Sequence, residues 1–440
     1  MEKKKMGVVQ LTIITMINMM GSGIIMLPTN LAQVGTMSIL SWVVTAGGAM
    51  ALAYAFSRAG MYTKKTGGMG GYAEYSFGKS GAFLANFTYW VSLVIANAAI
   101  AISAVGYFAQ VFQLTLNPVE TALGTIIVLW LASLLNFGGP SITGRLSTFT
   151  VWGVIIPTLF ISLAGWFWFN GGLYVSAWNP HHLGTFQGIS GSIAITLWAF
   201  LGLESASANM DAVENPEKNV PRAVLGGTIG AAIIYIISTN VVQGIVKNAA
   251  LAKSNAPFGL VFSQMFNPTV GNIVMGLLVI SCFGSLLGWQ FTIAEVARSS
   301  AQEGYFPKFF NKVIGNGTPI IGLVVITALQ SLLSLMTISP SLSAQFTILV
   351  NLAVVTNVVP YLLSMGAIKT MQLDAGVKSA SQRRLVDGVA LIAAVYSLYA
   401  IYAAGATAVV GGALVTFAGW ILYGFIADKF YFAKPENGLN

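Results

Sequence analysis

Charged residues are scarce in this sequence, and their scarcity excludes an ordinary soluble protein. Aspartate, glutamate, lysine and arginine make up 8% of the chain, whereas 56% of its residues are hydrophobic. Charged residues account for about 25% of a typical soluble domain. Apolar stretches of roughly 20 residues, long enough to cross the hydrocarbon core of a bilayer, recur along the whole length. The sequence therefore predicts an all-α polytopic membrane protein.

Cysteine and histidine are almost absent as well. The single cysteine, Cys282, lies inside an apolar stretch, which excludes a disulfide framework and a thiol metal cluster. The two histidines, His181 and His182, are adjacent in a predicted outer loop. We identify no nucleophile–base pair and no set of metal ligands at membrane depth. We therefore expect no enzymatic activity, no metal and no cofactor.

Apolar spans dominate what remains. We predict twelve transmembrane helices in a single transmembrane domain, residues 1–440. Lysine and arginine concentrate in short cytoplasmic loops; with both termini cytoplasmic, all of the 21 such residues face inward except Lys247 and Lys253. The net charge of +8 follows from this topology and does not indicate nucleic-acid binding. The predicted spans are 8–34, 37–57, 82–113, 121–138, 147–170, 187–210, 223–246, 270–297, 319–337, 344–368, 385–404 and 407–427.

The first span is interrupted by residues that are unfavourable inside a helix. Gly21 and Gly23 are followed by Pro28. A spanning helix can be broken at bilayer depth only where the freed main-chain groups face protein, a ligand or a water-filled cavity. The stretch therefore predicts a binding site, or else a small-residue surface that lets a neighbouring helix approach closely. The sequence of this segment leaves both interpretations open.

Span three carries two polar residues on one face. Tyr89 and Asn97 are eight residues apart and lie on the same side of a helix, where they either pack against a neighbouring helix or contact a ligand. The glycine-rich stretch before this span, residues 63–75, lacks the lysine and the preceding strand of a phosphate-binding loop. We predict a flexible or re-entrant inner loop there.

Span six contains the one ionisable side chain that we predict deep in the membrane. Glu204 follows Trp198 by six residues and Gly202 by two. A carboxylate at this depth is costly unless it is paired, protonated or hydrated, and no lysine or arginine is predicted nearby. These features favour a cationic or protonated cargo; the alternative is a protonated glutamic acid with a structural role.

Trp198 and Trp289 are predicted at the same level of the membrane as this carboxylate. An indole face over an ammonium group contributes about 0.5–2 kcal/mol. One glutamate beside two tryptophans suits an occluded transport site better than a cation channel, which requires a ring of acids from several subunits.

Spans one and six, the two interrupted spans, are five apart and cross in opposite directions. This arrangement is typical of two inverted five-helix repeats with a binding site between their discontinuous helices. We predict the repeats at residues 8–170 and 187–368, and two extra C-terminal helices within 385–427.

Several motifs resemble the amino acid–polyamine–organocation superfamily, and within it the basic amino acid/polyamine antiporters, over nearly the full length. The resemblance implies a LeuT-like 5+5 inverted repeat and alternating access in the bacterial cytoplasmic (inner) membrane. It favours exchange of putrescine for ornithine; lysine/cadaverine exchange, arginine/agmatine exchange and proton-coupled amino acid symport are alternatives. The motifs lie at Lys5–Thr12, Gly21–Ile24, Gly67–Tyr75, Trp198–Ser205, Glu214–Pro221, Ser281–Thr292 and Met336–Leu342.

The resemblance also implies roles for individual residues. Main-chain N–H groups of the first break would hold a substrate carboxylate, two tryptophans would enclose the aliphatic part, and an asparagine would bond the substrate. A second set would form a proton-sensitive layer toward the inside, and a third matches residues linked to polyamine handling. The sets are Ser22, Gly23, Ile24, Trp198, Trp289 and Asn97; Tyr89, Glu204 and Tyr361; and Glu74 and Tyr423.

The same resemblance implies partners. The transported species would be putrescine, ornithine and protons, with putrescine uptake coupled to protons at the same site. A cytoplasmic ornithine decarboxylase would be the functional partner, membrane lipid would surround the chain, and a homodimer is a further expectation.

Overall fold

The computed structural model describes residues 7–65, 68–204, 213–315, 317–336, 338–339 and 341–431, which are mainly helical. Short 3-10 turns lie at Ser22–Ile24, Gly165–Phe167 and Lys308–Asn311. The α-helices are α1 (Val8–Met20), α2 (Leu27–Ala32), α3 (Ser38–Tyr62), α4 (Met69–Val111), α5 (Pro118–Asn136), α6 (Pro140–Thr150), α7 (Trp152–Ala164), α8 (Gly171–Ser176), α9 (Thr185–Trp198), α10 (Pro216–Ile245), α11 (Asn248–Leu251), α12 (Pro257–Met265), α13 (Pro268–Gln302), α14 (Ile320–Met336), α15 (Leu342–Asp374), α16 (Ala380–Ala403), α17 (Ala406–Gly424) and α18 (Asp428–Tyr431).

Within these described residues, nine helical segments are long and apolar enough to cross a membrane. They correspond to nine of the twelve predicted spans. Of the other three, span nine is α14, an apolar helix of 17 residues, and spans one and six are interrupted. The prediction of an all-α polytopic membrane protein is confirmed.

Helix starts follow from local sequence. At α5, the Asn117 side chain accepts hydrogen bonds from the N–H groups of Val119 and Glu120, and the Glu120 carboxylate accepts one from the N–H of Asn117. This reciprocal pair satisfies main-chain donors that have no partner inside the helix. Pro118 takes a first-turn position, where its missing N–H costs nothing.

The glycine-rich stretch at 63–75 is not the loop that the sequence suggested. From Met69 onward it belongs to α4, which is bent at Gly78, where φ is 62°. A Cβ on Gly70 would lie 2.4 Å from Oδ1 of Asn86, so this glycine permits close packing across the bend. The prediction took glycine as a sign of flexibility, whereas here it allows close approach and one sharp change of direction.

The long helices that build the core form two groups. α1 packs against α10, α10 against α3, and α3 against α9; we call these four the broken-helix group. α4, α5, α13 and α14 pack against one another and form the four-helix group. α15 contacts α3 and α9 on one side and α4 on the other. The inverted-repeat boundaries at 8–170 and 187–368 stay a prediction.

Candidate binding site

The break in span one lies where the sequence predicted it. α1 ends at Met20, and Gly21 leaves the helix with φ −54° and ψ −137°. A 3-10 turn over Ser22–Ile24 follows, and α2 restarts the span with Pro28 in its first turn. The structure describes Ser22 by its main chain only. A break of this kind leaves main-chain groups free to bind a ligand inside the membrane.

The break in span six begins at the end of α9. After Trp198 the chain continues through turns to Glu204. Gly202 has a φ of 105°, which L side chains rarely adopt, and a Cβ there would lie 3.3 Å from the carbonyl oxygen of Asn18 in α1. Glycine at this position therefore lets the two broken spans touch. Residues 205–210, the rest of predicted span six, lie outside the described residues.

A narrow cavity of about 50 Å³ lies between the two helix groups. Both breaks, α4, α13 and α15 contribute to its walls. The lining residues are Asn18, Met19, Gly21, Gly23, Leu93, Ala96, Asn97, Ile100, Trp198, Leu201, Gly202, Glu204, Trp289 and Asn357. Five of the residues predicted from sequence are among them: Gly23, Asn97, Trp198, Glu204 and Trp289.

Glu204 supplies the carboxylate of this cavity and is 7% exposed. The hydroxyl of Tyr361 donates to its Oε2 at 2.6 Å, and the hydroxyl of Tyr89 donates to its Oε1 at 3.1 Å. The N–H of Gly202 donates to Oε2 at 3.1 Å. The structure thus brings together the three residues that the resemblance assigned to one layer, from α4, α15 and the turns after α9.

Glu204 has no basic partner among the ion pairs of the described chain. Those pairs are Lys65–Glu74, Lys79–Glu74 and Arg298–Glu295. Hydrogen bonds from two hydroxyls and one main-chain group hold the carboxylate without neutralising it. A buried carboxylate in this position favours a ligand that brings its own positive charge.

The two tryptophans lie on opposite helix groups. Trp198 closes α9 and is 6% exposed, with its ring edge-on to Phe346 at a centroid distance of 6.3 Å. A Cβ on Gly23 would lie 3.6 Å from Nε1 of Trp198, so this indole lies beside the first break. Trp289, half-buried, projects from α13 in the four-helix group. The cavity therefore has an aromatic side chain on each side.

Two buried asparagines line the cavity, and the sequence analysis identified only Asn97. Asn97 and Asn357 are each 1% exposed, and Oδ1 of each accepts no hydrogen bond within the described residues. Asn357 precedes Tyr361 by four residues in α15, so the two share a helix face. That spacing is the signal that could have identified Asn357.

Comparison with known proteins agrees with this geometry. The amino acid permease family model matches residues 6–426. The chain belongs to this family. The permease is 64% identical to the putrescine transporter PotE of Haemophilus influenzae over 433 residues, 98% of this chain and 99% of that protein. It is 61% identical to the putrescine transporter PotE of Escherichia coli K12 over 429 residues, 98% of each chain. The cadaverine/lysine antiporter of Escherichia coli K12 is 33% identical over 366 residues, 82% of each chain.

Family membership confirms the resemblance found in the sequence motifs. It also confirms the expectation of a membrane transporter rather than an enzyme, since the family model is a permease and the relatives above carry transporter names. The roles of individual residues in the permease stay predictions.

Several residues predicted for the permease do not line the cavity. Tyr89 and Tyr361 are connected to it through their hydrogen bonds to Glu204, whereas Glu74 and Tyr423 lie apart from it. Glu74 forms ion pairs with Lys65 and Lys79, each at 3.0 Å. Tyr423, in α17, packs its ring against Phe83 at a centroid distance of 5.6 Å. The sequence placed Glu74 and Tyr423 with the site residues because they match motif positions, but their contacts separate both from the cavity. Their link to polyamine handling stays a prediction.

Ile24 is fully buried, and its side chain is not part of the cavity wall. Together with Ser22, it was predicted to act through main-chain N–H groups. That role stays a prediction.

Proposed function

We propose that this permease exchanges putrescine for ornithine across the bacterial cytoplasmic (inner) membrane by alternating access. The observation that carries the proposal is Glu204, a buried carboxylate that lines the cavity without a basic partner among the described ion pairs. The transported cation would supply the missing charge. The Haemophilus influenzae and Escherichia coli K12 relatives, both named putrescine transporters, support the choice of diamine.

The two substrates would use different parts of the cavity. Ornithine would place its carboxylate on the main-chain N–H groups around Gly23, as an anion does at a helix N-terminus. Its side-chain ammonium would pass Trp198 toward Glu204, and Trp289 would face the aliphatic part from the other wall. Putrescine lacks a carboxylate and carries two ammonium groups, so its binding would depend more strongly on Glu204.

Alternating access would follow from rocking of the broken-helix group against the four-helix group. The cavity between the two groups and the two breaks in the broken-helix group support this interpretation. The inverted repeats would cover residues 8–170 and 187–368, with helices within 385–427 as additions. The distribution of lysine and arginine favours cytoplasmic termini.

Exchange of a monocation inward for a dication outward would couple the permease to a cytoplasmic ornithine decarboxylase, whose reaction consumes a proton. Such a cycle would oppose acidification of the cytoplasm.

Proton-coupled putrescine uptake through the same site is included in the proposal, with Tyr89, Glu204 and Tyr361 as the proton-sensitive layer. We also propose a homodimer in the membrane.

Counterflow in proteoliposomes tests the exchange. Labelled ornithine should enter vesicles loaded with putrescine and should not enter empty vesicles. Entry into empty vesicles along an ion gradient would instead indicate a symporter. A panel of putrescine, cadaverine and agmatine inside, against ornithine, lysine and arginine outside, identifies the pair, and preference for cadaverine with lysine would overturn the proposed substrates.

A further inference from the structure

A fully buried glutamine joins all four helices of the four-helix group. Gln290 follows Trp289 in α13 and is 0% exposed. Its side-chain nitrogen, Nε2, lies 3.0 Å from Oγ of Ser133, 2.8 Å from Oγ1 of Thr327 and 2.9 Å from Oε1 of Gln330. These partners come from α5 and α14, and the Gln290 oxygen faces α4.

Main-chain carbonyl groups fix the direction of these hydrogen bonds. The Thr327 hydroxyl donates to the carbonyl of Leu323 at 2.7 Å, so in its 2.5 Å bond with Ser133 it must accept. The amide nitrogen of Gln330 donates to the carbonyl of Val94 at 3.3 Å, which leaves the Gln330 oxygen as an acceptor. A carbonyl can only accept. All three neighbours of the Gln290 nitrogen therefore present oxygen acceptors to it.

The orientation of the Gln290 amide fixes that of the Asn97 amide, which lines the cavity. Because the Gln290 nitrogen is committed, its oxygen faces Asn97 and accepts from Nδ2 of Asn97 at 2.6 Å. Nδ2 of Asn97 also donates to the carbonyl of Leu286 at 3.4 Å. Oδ1 of Asn97 is buried and accepts no hydrogen bond within the described chain. Rotating either amide by 180° would place oxygen against oxygen, so the network leaves Asn97 an acceptor as its unused atom.

We propose that Gln290 is a positioning residue that holds the Asn97 amide with its oxygen available to an ammonium group of the substrate. The inference rests on the proposed function in one respect only, that the ligand is an organic cation. A wall that offers an oxygen acceptor binds the N–H of an ammonium and disfavours a carboxylate. Gln290 would thus contribute to cation selectivity without touching the substrate.

A double-mutant cycle on purified full-length protein tests the proposal, with the dissociation constant of putrescine as the measurement. N97A and Q290M should each weaken binding by about tenfold, the order of one hydrogen bond to a charged group. The double variant N97A/Q290M should bind no more weakly than N97A, because Gln290 acts through Asn97. Q345M is the matched control: Gln345 is also buried, its amide donates to main-chain carbonyls, and it does not line the cavity. Its affinity should equal that of the parent.

Q290E should restore part of the affinity that Q290M loses, a result that a simple packing role for Gln290 does not predict. A glutamic acid buried among acceptor oxygens is expected to be protonated; its carbonyl oxygen can accept from Asn97 and its O–H can donate to the acceptors around it. Q290E should therefore bind putrescine more tightly than Q290M. T327V removes one acceptor with little change of shape and should cause a smaller loss, about threefold, in the same direction.

Additive losses in N97A/Q290M, equal affinities of Q290E and Q290M, or parental affinity of Q290M would each overturn the role of Gln290. The cycle is also measured with cadaverine and agmatine. If the parent binds one of these cations but not putrescine, the proposed function fails while the cycle with that cation still decides the role of Gln290.

Discussion

The broken-helix group and the four-helix group meet at one cavity, yet they hold their polar groups by different means. The broken-helix wall offers glycine, interrupted main chain and the carboxylate of Glu204. The four-helix wall offers an asparagine amide fixed by the buried network around Gln290. Side chains held by several buried hydrogen bonds are rigid, whereas interrupted main chain can change its torsion angles. The broken-helix wall is therefore the adaptable wall, and the four-helix wall is the pre-ordered wall.

One hydrogen bond crosses between the walls at the carboxylate. Tyr89 belongs to α4 in the four-helix group and donates to Glu204 beyond the end of α9. If the two groups rock against each other, this bond at 3.1 Å must lengthen or break in part of the cycle. A substrate ammonium or a proton on Glu204 would then compensate for the lost donor.

Removing the charge on the adaptable wall should have the largest effect. Glu204→Gln should lower putrescine transport by well over tenfold, because an ion pair in a buried site is replaced by a neutral contact. Its transport rate should also vary less between pH 5 and pH 8 than that of the parent. Putrescine uptake into proteoliposomes across that range is the measurement.

Glu295→Gln is the control for this variant, since Glu295 is paired with Arg298 at 2.6 Å and does not line the cavity. Its uptake and pH profile should match those of the parent. Parental putrescine uptake by Glu204→Gln at every pH would remove Glu204 from the site.

Trp198 and Trp289 test the two walls separately, because one lies on each wall. Trp198→Leu and Trp289→Leu should each weaken binding of putrescine by about 1–2 kcal/mol if a cation–π contact is lost. Phenylalanine should recover part of the loss at both positions. Trp166→Leu, at a tryptophan that is 52% exposed, should leave binding unchanged. Equal affinities of the leucine and phenylalanine variants in isothermal titration would indicate packing instead.

Asn357 tests whether α15, which contacts both groups, also contributes an acceptor. Asn357→Leu keeps the size of the side chain and removes the oxygen, so we expect putrescine affinity to fall about threefold to tenfold. Asn357→Asp should instead raise the affinity for putrescine more than for ornithine, because putrescine carries the higher positive charge. Unchanged affinities in both variants would show that this oxygen does not face the substrate.

The sequence predicted the adaptable wall better than the pre-ordered one. Helix-breaking glycines and an unpaired acid are both unfavourable inside a membrane span, so Gly21, Gly202 and Glu204 were recognisable without a structure. Gln290 and Asn357 were missed because a single amide in an apolar helix is more often a packing residue. The importance of a buried amide depends on its hydrogen-bond partners from other helices, and those partners leave no periodic pattern in the sequence.

The contacts of two further features could not be deduced from sequence motifs. The glycines around Gly70 predict a loop, whereas the absence of a side chain at Gly70 permits close packing against Asn86. Glu74 and Tyr423 matched motif positions, but their ion pairs and ring contacts lie away from the cavity. Pairwise contacts of this kind are set by tertiary packing and cannot be deduced from spacing within one helix.

The most selective effect concerns the first break. Gly23 does not have a positive φ, and a Cβ there would make ordinary contacts at 3.6 Å or more, so alanine should fit. Gly23→Ala should therefore change both affinities by less than about threefold, whereas the larger side chain in Gly23→Val would block the approach of a carboxylate to the main-chain N–H groups. Only ornithine carries a carboxylate. Gly23→Val should reduce ornithine affinity about tenfold more than putrescine affinity, the order expected for a charge-assisted hydrogen bond.

Both dissociation constants are measured on monodisperse protein, with Gly23→Ala as the matched control. If the ratio of the two affinities is the same in Gly23→Val as in Gly23→Ala, the first break permits close helix packing and does not bind the carboxylate.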